Sequence, residues 1–503
     1  HRSDFGAHVL FKFIILLKGG HFMPKSKVVK HSNETLNYFT ARAVPNLKTY
    51  FGRVVKGQSE IYDTPFAKGE STPELLEKWN EVLKSIDGTW PTLYEFEEDM
   101  RSKVGPMSIM LPLADRMKDI RSYYDDILLP SEPISASAIA AVKREWQPAR
   151  GLVIRRQVTT VGLMKKSTNS GSPYFTKRRN VVDETVPGEV YYTGKYVRQI
   201  LPDYSGEGCA VLGWRGQEGG YSKEDVKQRV IWMFPFAVNV AELQVYQPLI
   251  EAAQKFNLVP AWVSMESVDK RITAMFDTKA SDDLVVCTDF SKFDQHFNSS
   301  LQNAAKALIA AIFNSSIYDW IDNVYPIKYN IPMMYNLGEV ISGHHGMGSG
   351  SGGTNADETL AHRALQYEAA IVAGTKLNLN SQCLGDDGIL TYPGITVEDV
   401  VDAYSKHGLE MNKSKQYAST QDCIYLRRWH HTNYRMRGVC VGVYSTMRAL
   451  GRLRYLERYQ DPEFWGPEAV ALRQLSILEN VKYHPLRDQF AQFCMKRDKY
   501  RLG

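Results

Sequence analysis

Leu284-Val285-Val286-Cys287-Thr288-Asp289-Phe290-Ser291-Lys292-Phe293-Asp294 is the stretch that decides the fold. Its first four residues are an unbroken apolar run, the mark of a short buried strand. The run leads into Asp289, and a second carboxylate, Asp294, stands five residues further on. A related unit lies at 381–392, where two short strands flank Gly385-Asp386-Asp387-Gly388, a sequence with hairpin-turn chemistry. Alone, Asp386-Asp387 reads as a solvated turn. Two adjacent anions between apolar strands are unfavourable without a counter-charge, and Asp289 at the end of another strand gives all three a shared purpose. Strands that deliver carboxylates from one end can hold a pair of divalent cations. Hard oxygen ligands suit Mg²⁺, which keeps waters and binds substrate phosphates. Two such ions about 3.5–4 Å apart stabilise both the attacking and the leaving oxygen in phosphoryl transfer.

Working outward, Leu301, Ala304, Ala305, Leu308, Ile309 and Ile312 share one helix face after the first strand. A further helix starts near Thr354. Thr396 with Asp399 resembles a capping box opening a helix that Gly408 stops. Strand, helix, helix, hairpin, helix in that order predicts an α+β unit, an antiparallel sheet backed by helices. Upstream, Thr72 is an N-cap candidate, with Pro73 at the first helical position of a helix that keeps Leu75, Leu76, Trp79, Val82, Leu83 and Ile86 in period, and 238–256 forms a long one. Beyond about residue 445 the pattern is mostly helical.

The whole chain has 503 residues, 44% hydrophobic and 23% charged, which excludes disordered and collagen-like architectures. At ~150 residues per domain it holds roughly three units. Net charge is +5, too little by itself to argue for nucleic acid. Six cysteines without C-x-x-C spacing exclude a zinc ribbon and point to a reduced compartment. The apolar run from Val9 to Leu17 is interrupted by Lys12 and is far short of the ~20 residues that span a bilayer. Met23 reads as the native start and 1–22 as a non-native leader.

At this point the residues resemble a family. Asp289-x4-Asp294, Ser349-Gly350-x3-Thr354 and Gly385-Asp386-Asp387 are similar, in order and spacing, to the palm motifs of viral RNA-dependent RNA polymerases. Asn412-x2-Lys415 resembles the next palm motif, and Tyr425-Leu426-Arg427-Arg428 the motif at the palm–thumb junction. Lys227-x-Arg229 with Arg215 resembles the basic fingers motif, and Ser170-Gly171-Ser172-Pro173-Tyr174 the template-channel motif. The wording around Ser349 is closest to picobirnavirus polymerases, which copy a segmented double-stranded RNA genome.

The resemblance implies a right-hand fold: an N-terminal extension and fingers at 23–235, palm at 236–312, a fingers insertion at 313–345, palm again at 346–430 and thumb at 431–503. It implies template-directed RNA synthesis from NTPs for replication and transcription. Asp289, Asp386, Asp387 and the Phe290 carbonyl would hold two Mg²⁺ ions, with Mn²⁺ an alternative, and Lys415 would be the general acid. Lys227, Arg229, Arg215, Asp294, Ser349, Thr354 and Asn355 would bind the nucleotide. Ser170, Gly171 and Pro173 would meet the template, and Arg427 and Arg428 the primer side. Relatives carry Asn four residues after the motif threonine; here that position is Glu358, and Asn355 is the candidate ribose sensor, with Asp357 and Glu358 as alternatives. Expected partners are single-stranded RNA template, nascent RNA, NTPs and a viral capsid protein, with no membrane, in the virion interior and host cytoplasm. A C-terminal part this short for a thumb also allows truncation at Gly503.

Three rival readings fit the sequence less well. Gly348-x-Gly350-x-x-Gly353 matches a dinucleotide fingerprint, but Glu368 sits in a helical pattern rather than ending a strand. A reverse transcriptase would carry an aromatic at 384 and at 294, where this chain has Leu384 and Asp294. A catalytically silent RNA-binding, capsid-associated protein would use the basic groups Lys165-Lys166, Lys177-Arg178-Arg179 and Arg448/Arg452/Arg454/Arg458, but has no need to gather three aspartates. His344-His345 and His430-His431 lack metal-ligand spacing.

Overall fold

A computed structural model describes residues 27–30 and 45–500; the expected leader at 1–22 and the final residues 501–503 lie outside the described residues. The deciding stretch forms strand Val285–Thr288 at the heart of a four-stranded antiparallel sheet. Its order is Gln382–Leu384, Asp387–Leu390, Val285–Thr288, Tyr417–Ser419. Alternate residues face opposite ways along a strand. Val286 and Leu390 join a core with Leu301 of helix Ser299–Ile312 and Leu360 of helix Thr354–Val372. Val285, Cys287 and Ile389 join a second core with Val268 and Ile272 of helix Met265–Thr278. The expected sheet backed by helices is therefore covered on both faces. That is why 284–287 is continuously apolar instead of alternating.

A five-stranded mixed sheet stands beside it. The hairpin Ala210–Gln217 and Lys227–Met233 is extended by Met333–Asn336, parallel to Ala210–Gln217, then by Glu339–Ser342 and Lys27–Lys30. Segment 333–342 thus returns across more than a hundred residues to complete the sheet that carries Lys227 and Arg229.

Helix Thr72–Leu83 begins at Ser71, whose hydroxyl accepts Glu74 N–H while Glu74 accepts Ser71 N–H. Thr72, the expected cap, is the first helical residue instead. Trp79 of this helix and Phe96 of helix Pro91–Arg101 pack with Leu450 and Phe490 from helices Thr446–Arg454 and Arg487–Met495. Trp79 Nε1 donates to Thr446 Oγ1 at 2.8 Å, and the buried Glu97 carboxylate accepts from Thr446 and lies 3.2 Å from His484 Nε2. The early and late parts of the chain so share one core. The helix expected at 238–256 is Phe236–Lys255, and Thr396 caps Val397–Ser405 through Asp399 N–H. All six cysteines are buried and free. Among the described residues, no helix is long and apolar enough to cross a membrane.

Candidate active site

The strand register builds the site. Leu384 pairs with Asp387, leaving Gly385 and Asp386 as a two-residue hairpin turn, with Gly385 at φ +58°. A turn of that kind needs a positive φ at its first central residue, which glycine adopts without strain. Gly388 pairs with Thr288, the last pair of the antiparallel ladder, so the next residue on each strand, Asp387 and Asp289, stands at the same end of the sheet. Asp386 stands at the tip beside them.

Neighbouring side chains then fix the backbone. Gln416 accepts Asp289 N–H at 2.7 Å and donates to Asp289 O at 2.8 Å. From helix Thr354–Val372, Thr359 Oγ1 accepts Gly385 N–H at 2.9 Å and the His362 Nδ1 side bonds Gly385 O at 2.9 Å. Burial holds the His362 imidazole at about 4, so it is neutral and donates through Nδ1. Gly388 leaves room for that ring: a Cβ there would lie 2.7 Å from it. Gln416, Thr359 and His362 escaped the sequence reading, since nothing local marks them.

Asp386 and Asp387 resist ionisation as they stand. Burial, then repulsion from Asp294 and Asp289, pushes Asp386 up; burial pushes Asp387 up to about 7. Asp387 also accepts Leu426 N–H at 2.7 Å. Among the described residues, no three His, Cys, Asp or Glu side chains close into a metal cage. Asp386 and Asp387 are desolvated, and Asp386 repels Asp387, so a cation beside them would be favoured. That suits Mg²⁺, which binds through one or two carboxylates and completes its shell with water and substrate phosphates.

The hairpin register places Arg215 opposite Arg229 and Gln217 opposite Lys227, all four on one face. Arg229 donates to Gln217 Oε1 at 2.6 Å, and its charge favours ionisation of Asp386 and Asp294. Lys227 lines a cavity of about 280 Å³ shared with Asp289, Asp387 and Lys415; burial and the nearby Lys103 and Arg229 lower its pKa. Arg215 is not there: it is largely exposed and paired with Glu457 at 3.0 Å. Lys413 pairs outside with Glu398 and Asp402.

Helix phase sends the three ribose candidates to different partners. Asp357 points into the interior, accepting Tyr246 and Tyr329 hydroxyls at 2.7 Å each and pairing with Lys328 at 3.1 Å, both charges fully buried. A buried pair persists only when its remaining valences are met, and the Lys328 ammonium also sits 3.8 Å from the Tyr325 ring centroid. With Asp357 inward, Asn355 turns to Trp262, accepting its Nε1–H at 2.8 Å. Glu358 bonds Asp294 instead. The partner of Asp294 is thus Glu358 and not Asn355. The helix that follows, Ser299–Ile312, is capped by Asn298.

The loop at 346–353 is tightly seated. Ser349 Oγ donates to Val230 O at 3.1 Å, and a Cβ on Gly350 would lie 1.5 Å from Trp232 O. Buried Glu242 accepts Ser351 Oγ–H and Gly352 N–H, and Thr354 Oγ1 donates to Gly348 O at 3.3 Å. Ser170, Gly171 and Pro173 are buried, with Gly171 against Phe234 O; the exposed groups beside them are Lys177 and Arg179. Arg427 lines the cavity, whereas Arg428 turns away to a bidentate pair with Asp269 at 2.8 and 3.1 Å. His345 and His430 are buried and hydrogen-bonded to backbone carbonyls.

Comparisons with known proteins agree with this geometry. A family model described as viral RNA-dependent RNA polymerase matches residues 209–440. A potential RNA-dependent RNA polymerase of human picobirnavirus (strain Human/Thailand/Hy005102/-) is 63% identical over 462 residues, 91% of this chain and 86% of that protein. The crystal structure of a human picobirnavirus RNA-dependent RNA polymerase superposes with a TM-score of 0.92 at 60% identity, over 94% of this chain and 91% of that one. Its insertion-loop deletion mutant gives the same TM-score and identity over 94% of each. The chain therefore belongs to the viral RNA-dependent RNA polymerases, and among them to those of picobirnaviruses.

Proposed function

We propose that this polymerase extends RNA on a single-stranded template by two-metal nucleotidyl transfer, serving replication and transcription of a double-stranded RNA genome. The observation that carries it is the strand register, which brings Asp289 and Asp387 to one end of the sheet on the wall of a cavity shared with Lys227 and Lys415, with Asp386 at the adjoining turn. Asp289 and Asp386 would hold two Mg²⁺ ions, or Mn²⁺, with Asp387 and the Phe290 carbonyl assisting. When bound, the ions supply Lewis-acid stabilisation of the attacking 3′-oxygen and the α-phosphate.

The chain's own groups do the rest. Lys227 and Arg229 orient the triphosphate through charge-assisted bonds, and Lys415 donates a proton to the leaving pyrophosphate. Asp294, with Glu358, accepts the 2′-OH of an incoming ribonucleotide. Ser349 and Thr354 hold the loop beside the nascent pair, while the buried 170–173 turn shapes the template path that Lys177 and Arg179 border. Fingers at 23–235 and 313–345, palm at 236–312 and 346–430, and thumb at 431–503 would surround the RNA. The working places are the virion interior and host cytoplasm, beside a capsid protein. Product sizing after incubation with single-stranded RNA, NTPs and Mg²⁺ or Mn²⁺ tests this reading: elongated RNA is expected, and its absence with either metal contradicts it.

A further inference from the structure

Two carboxylates that line the cavity, Asp99 and Glu218, have no place in that mechanism. Glu218 follows strand Ala210–Gln217 directly, and its Oε1 accepts Arg448 Nε at 3.1 Å and lies 3.6 Å from Arg427 Nη1. Arg448 comes from helix Thr446–Arg454, and Arg427 follows Leu426, whose N–H holds Asp387. The three side chains therefore join the fingers hairpin, the palm edge and the C-terminal helices at one point. All three line the cavity that Asp289 and Asp387 also line. Although burial raises Glu218, its own backbone N–H, Arg448 and Arg427 hold it below the usual carboxylate range. Burial and the nearby Arg448 lower Arg427. Two guanidiniums thus crowd one anion on the wall of the candidate reacting centre.

A guanidinium fork that fits a carboxylate fits a phosphate equally well. We propose that Arg427 and Arg448 form a subsite for the β,γ-diphosphate, as the tail of a bound nucleotide or as released pyrophosphate, and that Glu218 competes for both guanidiniums and so speeds release. No bond is made or broken in this exchange; one anion replaces another on two cations. The idea rests on the reading of Asp289 and Asp387 as the reacting edge. It assigns Glu218 a positioning role and not a catalytic one.

Glu218→Gln and Arg448→Met should move anion binding in opposite directions. Removing the competitor should lower the pyrophosphate inhibition constant of RNA synthesis roughly fivefold, the scale of one partly exposed ion pair. Removing a guanidinium should raise it by a similar factor. The KM for NTPs measured alongside tells whether the arriving tail uses the subsite as the leaving group does. A purely structural role would make both variants worse together, so shifts of the same sign, or no shift in either, overturn the proposal. Arg448 also donates to the Tyr444 hydroxyl at 2.7 Å. If Arg448→Met misfolds, calorimetric titration of the unmodified chain and Glu218→Gln with magnesium pyrophosphate decides alone: tighter binding by the variant supports the idea, equal or weaker binding refutes it. That titration needs no turnover, so it separates failure of the subsite from failure of the polymerase reading, which an unmodified chain making no RNA would show.

Discussion

Asp294 and Glu358 are hydrogen-bonded to each other, two buried carboxyl groups from different elements meeting beside Asp386. Two carboxyls cannot bond without a proton between them. Burial, then the neighbouring Asp294, raises Glu358 far above its ordinary range. Asp294 is raised by burial but eased by Glu358 and Arg229. Both are raised, Glu358 the more strongly, which favours the shared proton on Glu358. On the proposed reading Asp294 is the acceptor for a ribose hydroxyl.

A site built to accept a hydroxyl rejects a substrate lacking it, because the acceptor is left unpaired. Asp294→Ala is expected to lower efficiency with ATP more than with dATP, narrowing the preference. Glu358→Gln, which keeps a donor toward Asp294, should retain most of it. An unchanged ATP/dATP ratio in Asp294→Ala would remove Asp294 from the sugar site.

Lys415 lines the cavity and Lys413 is paired outside it. Lys415→Leu is expected to slow single-turnover incorporation by about 10²–10⁴, the scale of general acid catalysis, and Lys413→Leu to leave it nearly untouched. The reverse ranking would reassign the proton donor.

Acid stability follows from the buried histidines. Burial depresses His345 to about 3, and His362 and His430 to about 4. Between pH 6.5 and 4 the unfolded chain binds these protons and the native one does not. Stability is thus present above pH 6.5 and falls as pH drops through that window. Each histidine contributes at most about 1.4 kcal/mol per pH unit. Denaturant melts of His362→Gln from pH 7 to 4.5 should show a shallower loss than the parent chain; an identical slope would mean that His362 protonates within the native fold.

The seat of the 346–353 loop can be probed at Gly350. Gly350→Ala has no space against Trp232 O, and the loop must shift to admit it. Synthesis is expected to fall at least tenfold, since misplacing a positioning loop by about 1 Å costs on the order of 10². Full activity would show that the loop is not held at Ser349 during turnover.

The elements were legible where local pattern and burial agree. Ile312 and Leu301 announced their helix, and Gly385-Asp386 its turn. Asp289, Asp386 and Asp387 were legible as a set because charge at the end of apolar strands is costly without a purpose. That Glu358 meets Asp294 while Asn355 meets Trp262 was not legible, because the phase of that helix is set by Asp357 reaching Lys328, Tyr246 and Tyr329 from distant segments. For the same reason Arg428 looked equivalent to Arg427 until Asp269 claimed it. Gln416, Thr359 and His362 act through backbone atoms far away in sequence, and such contacts leave no periodic mark.

The central claim is that Asp289 and Asp386 form the reacting edge. It is tested most directly by RNA synthesis from Asp386→Asn, measured beside the unmodified chain on single-stranded RNA with NTPs and Mg²⁺. The amide keeps the shape of the turn but removes a charged oxygen ligand. The account expects normal folding and RNA binding with product reduced by several orders of magnitude. Product near the unmodified level would contradict it.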